Sequence, residues 1–211
     1  MANGLSMSIS TRNKRSILLT IGALALLVQC SQPHTPTPPE IPINEIHSAD
    51  IAFRLGRTLQ SDAIASHGSS GYSHVGIIIA SDSSKSVIHI EPNRKNERIK
   101  IESLEEFFHP DNAISGCIMR HKQVTDSLQL IISNHAKRLL NSPITFDHDY
   151  SLNDSSRMYC TELVEHLYNI ANISLSQEKR IRLPLAKEPV IMPSAIYEND
   201  SLKPIWSYRL K

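Results

Sequence analysis

The sequence has almost no net charge, because 22 lysines and arginines face 21 aspartates and glutamates over 211 residues. This balance leaves no basic surface for a nucleic-acid partner. The ten histidines form no His-x-x-x-His pair and the three cysteines form no Cys-x-x-Cys pair, so a metal site is disfavoured. No segment repeats at a fixed period, which excludes solenoids and propellers. We therefore expect no nucleic acid, no cofactor and no metal.

The longest apolar run near the N-terminus is too short to cross a bilayer. It covers residues 17–28, follows three basic residues and ends just before Cys30. Such a run suits the hydrophobic region of a secretory signal. Residues 27–30, Leu-Val-Gln-Cys, resemble a bacterial lipobox with a lipidated cysteine, although Gln29 occupies a position that is normally small. We predict that residues 1–30 are a signal and lipoprotein segment, which mass spectrometry of the mature N-terminus would test.

This segment predicts a place for the protein in the bacterial cell envelope. A lipid on Cys30 would anchor it to a membrane, with the domain facing the periplasm, and the open alternative is a soluble secreted protein. Residues 31–42 contain five prolines, so we predict a semi-rigid linker over residues 31–45. Residues 46–211 are then one folded domain, long enough to bury a core.

The apolar patterns of this domain predict an α+β fold, with an antiparallel sheet packed against a few helices. Strand patterns cover residues 50–55, 74–80, 86–91, 98–101 and 116–120, and the second of these is apolar enough to be buried on both faces. Helix patterns cover residues 104–108, capped by Ser103, residues 124–139, capped by Thr125, and a segment that begins near Cys160. Residues 56–66 fit either a short helix or a loop.

Cys160 stands where the second long helix begins. The unpaired amide groups and the positive end of the helix dipole favour a thiolate at such a position, and the thiolate is the nucleophilic form. A cysteine hydrolase also needs an imidazole base and a group that orients it. His74 starts a buried strand, and the adjacent hairpin strand carries His89 and Glu91, which point to one face. Either of these two residues could orient His74.

These residues belong to three motifs that resemble one family. Tyr-Ser-His-Val-Gly at 72–76, Val-Ile-His-Ile-Glu-Pro at 87–92 and Tyr-Cys-Thr-Glu-Leu-Val at 159–164 are similar to motifs of the YaeF/YiiX-type permuted papain-like amidases, relatives of NlpC-type cell-wall peptidases. The resemblance covers about residues 50 to 196. It implies a circularly permuted papain-like fold in which the histidine precedes the cysteine.

The resemblance also implies roles for the site residues. Cys160 would be the nucleophile, His74 the base and His89 the third member of the triad, with Glu91 as the alternative. The family commonly has a glutamate at the third position. The histidine here resembles the Cys-His-His triad of lecithin:retinol acyltransferase-like proteins, and we favour His89. The Cys160 backbone amide would donate a hydrogen bond to the oxyanion.

The expected function is an envelope-associated cysteine hydrolase that cleaves an amide or ester bond in a peptide, lipopeptide or lipid. An acyltransferase of the same fold is one alternative, because an amine or alcohol can replace water. A non-catalytic papain-like binding module is another. A structural disulfide between Cys117 and Cys160 is a third, although core packing is the simpler interpretation of Cys117. Residues 146–150, Phe-Asp-His-Asp-Tyr, either shape the substrate cleft or form a solvated acidic loop.

Overall fold

A six-stranded antiparallel sheet forms the centre of the fold. The computed structural model describes residues 1, 37, 39–81, 84–92, 96–183 and 186–210. The six strands are β1 (Ile51–Leu55), β2 (His74–Ala80), β3 (Lys85–His89), β4 (Lys100–Ser103), β5 (Ser115–His121) and β8 (Leu202–Arg209). They lie in the order β4-β3-β2-β1-β5-β8, and every neighbouring pair is antiparallel. A parallel pair, β6 (Thr145–Phe146) and β7 (Arg157–Met158), lies apart from this sheet. The predicted α+β class is confirmed.

Three of the five described α-helices begin after a residue whose side chain caps them. The five helices are α1 (Leu59–His67), α2 (Leu104–Phe107), α3 (Asp126–Leu140), α4 (Cys160–Asn169) and α5 (Pro193–Tyr197). The segment that fitted either a helix or a loop forms α1, because the Thr58 hydroxyl accepts from the Ser61 amide at 3.1 Å. The predicted caps Ser103 and Thr125 accept from amides of α2 and α3 in the same way.

The sheet buries apolar side chains on both faces. On one face, Val75 and Ile77 of β2 belong to the main core, which α4 completes. On the other face, Ile78 packs in a second cluster with Phe107 and Phe108. The apolar run at 74–80 is therefore buried on both sides, as its composition predicts.

Contacts to the second face of the sheet begin inside the segment predicted as a linker. Ile43–Glu45 forms a 3₁₀ turn, and Ile41 packs against the second cluster. The Trp206 indole donates to the Glu40 carbonyl at 2.9 Å. The predicted signal segment and Cys30 lie outside the described residues, so lipidation stays a prediction. Within the described ranges, no helix has the length and apolar character needed to cross a membrane.

Candidate active site

Cys160 is the first residue of α4, as the sequence predicts. Tyr159 has extended backbone angles, φ −106° and ψ 171°, and the helix begins immediately after it. Two hydrogen bonds hold this turn to the neighbouring chain: the Ile191 amide donates to the Tyr159 hydroxyl at 3.0 Å, and the Thr161 hydroxyl donates to the Ile191 carbonyl at 2.6 Å. Cys160 keeps partial contact with solvent. The fold therefore presents the thiol at a braced helix N-terminus.

The surroundings of Cys160 disfavour a free thiolate in the resting protein. Burial raises the pKa of the Cys160 thiol to about 11, although the Val75 and Thr161 amides act in the opposite direction. The helix N-terminus that led us to expect a thiolate is thus opposed by desolvation of the charged form. At neutral pH the thiol therefore keeps its proton, and a base would have to remove it before the sulfur could act as a nucleophile.

His74 and His89 form a direct imidazole pair. His74 Nε2 lies 2.8 Å from His89 Nδ1. Gly76 makes room for this contact, because a Cβ there would lie 2.4 Å from Val87 Cγ1 and 3.0 Å from His89 Cβ. Burial lowers the pKa of both imidazoles, and the Arg54 charge adds to the effect. Both rings are therefore neutral at physiological pH, and the N–H of one ring donates a hydrogen bond to the unprotonated nitrogen of the other.

Glu91 is more distant from His74 and is engaged elsewhere. Its Oε2 lies 4.0 Å from His74 Nε2, compared with 2.8 Å for His89 Nδ1. Both of its oxygens have cationic partners, because Arg54 Nη2 and Lys100 Nζ each donate at 2.6 Å. These cations hold the pKa of Glu91 below its usual value despite burial. The geometry supports His89 over Glu91 as the group that orients His74.

Three charged residues of the site did not emerge from the sequence. Arg54 of β1 donates to Glu91 and stacks over the Phe107 ring, with its guanidinium carbon 4.4 Å from the centroid. Glu102 of β4 lies 3.0 Å from His89 and 3.8 Å from Arg54, and Lys100 of the same strand pairs with Glu91 and Glu102. An alternating strand normally turns its apolar residues inward, and Ile101 between them is 47% exposed. No alternation rule would have identified them.

Cys160 and His74 line the same cavity of about 300 Å³, called the polar cavity because most of its lining residues are polar. Among the described side chains, no direct hydrogen bond joins the thiol to the imidazole. Catalytic contacts of this kind are often loose in free enzymes and tighten when substrate binds. The Val75 amide, next to His74, is one of the groups that stabilise the Cys160 sulfur. The Cys160 thiol and the His74 imidazole therefore line one shared space.

A second, largely apolar cavity also opens at Cys160. It has a volume of about 470 Å³, and its apolar lining includes Ala63, Ile64, Leu183, Val190, Met192 and Pro193. Tyr150 lines both cavities, and its hydroxyl accepts from Gln60 at 3.1 Å. Its φ of 54° is unusual for a residue other than glycine. The thiol therefore lies at the junction of an apolar and a polar space.

The loop that contains Tyr150 is held from within. Asp147 is fully buried and accepts from the Asp149 and Ser151 amides at 3.0 Å and 2.6 Å. Because Tyr150 lines both cavities, residues 146–150 shape the cleft and are not only a solvated acidic loop. Cys117 is buried on β5, and both described cysteines are free. The disulfide alternative is therefore wrong, and Cys117 is a core residue.

One group of side chains among the described residues has donor atoms close enough to surround an ion. Donor atoms of His74, His89 and Glu91 lie within 4.8 Å of one another. Each of these residues already has a partner in the protein: the histidines bind each other, and Glu91 binds Arg54 and Lys100. Two positive side chains therefore face the space that a cation would occupy.

Comparisons with known proteins agree with this arrangement. Residues 45–205 match a family described as permuted papain-like amidase enzyme, YaeF/YiiX, C92 family. The crystal structure of the metalloprotein YiiX from Escherichia coli O157:H7 has the same fold, with a TM-score of 0.65 and 20% sequence identity. The match covers 78% of this chain and 99% of YiiX. No curated protein sequence matches significantly.

Proposed function

The chain belongs to the YaeF/YiiX family of permuted papain-like amidases, and from this premise we propose that it hydrolyses an acyl amide or ester through Cys160. Membership of this family supports a function of the cysteine hydrolase type. The observation that carries the proposal is the position of Cys160, at a helix N-terminus where an apolar and a polar cavity meet. The His74–His89 pair lies on the polar side.

The proposed reaction begins from a neutral thiol and a neutral imidazole. His74 accepts the Cys160 proton on Nδ1 as Sγ bonds to the substrate carbonyl carbon, since its Nε2 faces His89. His74 then returns that proton to the leaving amine or alkoxide as the C–N or C–O bond breaks. Water attacks the thioester, gives its proton to His74 and releases the acid. The thiol regains the proton, so the cycle is closed.

The oxyanion of each tetrahedral intermediate needs donors that are already in place. The Cys160 amide belongs to the first turn of α4 and has no partner within the helix, so it can donate to the developing charge. The helix dipole adds to this effect. In this reaction the dipole of α4 stabilises the oxyanion intermediate and does not keep Cys160 ionised in the resting protein.

The two cavities favour an amphiphilic substrate. An apolar space of about 470 Å³ is suited to an acyl chain or another extended apolar group. The polar cavity, lined by Arg57, Thr58 and Asn112 besides His74, is suited to the leaving group and to water. We therefore propose a lipid or lipopeptide substrate in preference to a purely polar peptide.

YiiX is described as a metalloprotein, which raises the question of whether side chains of this chain could hold a cation. The donor set of His74, His89 and Glu91 does not fit as folded. The imidazole atoms that face each other are joined at 2.8 Å, and the Glu91 carboxylate is neutralised by Arg54 and Lys100. A divalent cation would have to displace both positive side chains. The proposed reaction accordingly uses the thiol and the imidazoles.

The apolar cavity predicts a dependence on acyl length. Ala63→Trp should fill part of this cavity and lower kcat/KM for a dodecanoyl ester by about tenfold or more, while an acetyl ester changes less than twofold. Ser66→Trp is the matched control, because Ser66 is exposed on the same helix and lines neither described cavity. Hydrolysis of p-nitrophenyl esters of increasing chain length measures the effect. Equal losses for short and long esters would contradict an acyl site.

The same assay separates hydrolysis from the acyltransferase alternative. With an amine or alcohol added, a hydrolase still releases mostly free acid, whereas an acyltransferase transfers the acyl group to the added acceptor. Mass spectrometry of the products gives this ratio. A third outcome, no thioester on Cys160 with any ester, favours the non-catalytic binding module.

The third member of the triad is tested by comparing two substitutions. We expect His89→Ala to lower the rate of Cys160 alkylation at pH 7 more than Glu91→Ala does, because His89 contacts the base directly. Glu91→Gln keeps the shape of the carboxylate and serves as the control for lost charge. Iodoacetamide kinetics with peptide mapping measure each rate. The reverse ranking would assign the orienting role to Glu91.

A further inference from the structure

We infer that Glu102 is a positioning residue that sets the direction of the proton chain through His89 and His74. The inference rests on the proposed function, in which His74 accepts the Cys160 proton. Glu102 lies on β4, the edge strand of the sheet, where a carboxylate normally points to water. Here its side chain is only 12% exposed and turns toward a histidine with no exposure at all. Such a buried carboxylate needs a reason.

The contact between Glu102 and His89 is specific to one pair of atoms. His89 Nε2 lies 3.0 Å from Glu102 Oε2. The pair does not have the alignment of a hydrogen bond, and both atoms are buried without a hydrogen-bond partner among the described residues. A small rotation of either side chain would join them, and each is the nearest group that could satisfy the other. The other Glu102 oxygen is held by the Lys100 ammonium. The pKa of Glu102 is lowered to about 2 although burial opposes this, because His89 and Lys100 stabilise its charged form.

The surrounding charges leave Glu102 as the acceptor for His89. Arg54 and Lys100 offer only donors. Glu91 is the other nearby carboxylate, and both of its oxygens are used by those two cations. Arg54 Nη1 is 3.8 Å from Glu102 Oε2, so it leaves room for the closer imidazole at 3.0 Å. An ionised carboxylate cannot donate a proton, and His89 Nε2 must therefore carry the hydrogen.

The proton on His89 Nε2 fixes the tautomer of His89 and, through the hydrogen bond between the two rings, the tautomer of His74. A neutral imidazole carries one N–H, so a proton on His89 Nε2 leaves His89 Nδ1 as an acceptor. His89 Nδ1 faces His74 Nε2 at 2.8 Å, and His74 must then donate from Nε2. His74 Nδ1 is left without a proton, which is the form that can deprotonate Cys160. Without Glu102, the hydrogen bond between the two imidazoles could reverse its direction, and His74 Nδ1 would then carry a proton.

Glu102→Gln tests this inference because it preserves shape and reverses polarity. Lys100 is a pure donor, so it should hold the amide oxygen and turn the amide NH₂ toward His89 Nε2. His89 then carries its proton on Nδ1, and His74 must accept on Nε2 and protonate Nδ1. We expect ¹⁵N chemical shifts of labelled histidine to show this exchange of tautomers in both rings. We expect the Cys160 alkylation rate at pH 7 to fall about 10- to 100-fold.

Further variants distinguish positioning from simple structural support. Glu105→Gln is the matched control, since Glu105 is exposed in the first turn of α2 and should change neither measurement. Glu102→Asp keeps the carboxylate and should retain the wild-type tautomers, which a loss of folding would not allow. Glu102→Ala removes the acceptor without supplying a donor and should be less harmful than Glu102→Gln.

The tautomer measurement is repeated in a Cys160→Ala background, where no chemistry is possible. If wild-type Cys160 proves unreactive but Glu102→Gln still reverses the tautomers, the proposed function fails and the positioning role stands. If the tautomers are the same in wild type, Glu102→Gln and Glu102→Ala, the positioning role is overturned whatever the activity. A uniform loss of stability with unchanged ¹⁵N shifts would also overturn it.

Discussion

Cys160→Ala is expected to abolish hydrolysis and covalent labelling, lowering kcat/KM for an acyl ester by at least about a thousandfold. The reason is chemical: no other thiol of the described chain is near the two cavities, since Cys117 is buried in the core. Without the sulfur, no thioester forms and water must attack the carbonyl unaided. Intact-protein mass spectrometry after incubation with an ester measures the acyl adduct directly.

Cys117→Ala provides the matched control for this experiment. It removes the other described cysteine, which is 2% exposed, and should lower the free energy of unfolding while leaving the acyl adduct in place. Wild type that labels no better than Cys160→Ala would remove the enzyme interpretation. It would favour a papain-like module that binds its ligand without turnover.

His74→Ala is expected to lower the rate of Cys160 alkylation and of hydrolysis near pH 7 by about 10² to 10⁴-fold. The Cys160 thiol has a pKa of about 11, so it holds its proton at neutral pH. His74 is the imidazole that lines the polar cavity together with Cys160. His74→Asn is the control for volume, since it fills the site without supplying a base. A loss below tenfold would mean that another group deprotonates the thiol.

The pH dependence follows from the direction of the two pKa shifts. Burial lowers the pKa of His74 well below its ordinary value of 6.5, so the ring stays a neutral base as the pH falls through 6.5. Wild-type activity should therefore be lost only at distinctly lower pH. In His74→Ala the reaction depends on thiolate alone, and its alkylation rate should rise about tenfold per pH unit from 7 to 10. The two proteins should converge as the pH approaches 11.

The same shifts affect the stability of the fold. Because folded His74 binds a proton more weakly than the unfolded chain, the unfolded state takes up more protons below pH 6.5. The free energy of unfolding should thus decrease as the pH falls through this range. The raised pKa of Cys160 acts at the other end, since its contribution is present below pH 9 and lost as the pH rises toward 11. Denaturation at several pH values separates these effects from catalysis.

The helix and the strands that carry the candidate site residues could be predicted from local sequence patterns. The start of α4 at Cys160, the buried strand at His74 and the hairpin strand that carries His89 were all predicted, although that strand ends at His89 and not at Glu91 as its pattern indicated. Each depends on a signal within a few residues, namely an apolar period, a cap or a turn. The segment at 56–66 had no such clear period, and only the Thr58 cap and the packing around it show that it is a helix.

The charged shell of the site could not be predicted in this way. Arg54 comes from β1, whereas Lys100 and Glu102 come from β4, and the contacts between them depend on the register of β1, β2, β3 and β4. A strand such as β4 has two faces, and its alternation does not say which one meets buried partners. The inward face of β4 carries charged residues because Arg54 and His89 lie on that side and pair with Glu102.

The sequence by itself determined the family, the position of the candidate nucleophile and the order in which histidine and cysteine occur, because each depends on a short contiguous motif. The tertiary structure decided the state of those groups. Burial, a property of the whole packed domain, raises the pKa of Cys160 and lowers the pKa of His74. The tertiary fold also brings Glu102 to His89 and places Cys160 between an apolar and a polar cavity. Desolvation and distant contacts depend on the folded shape, which no local motif contains.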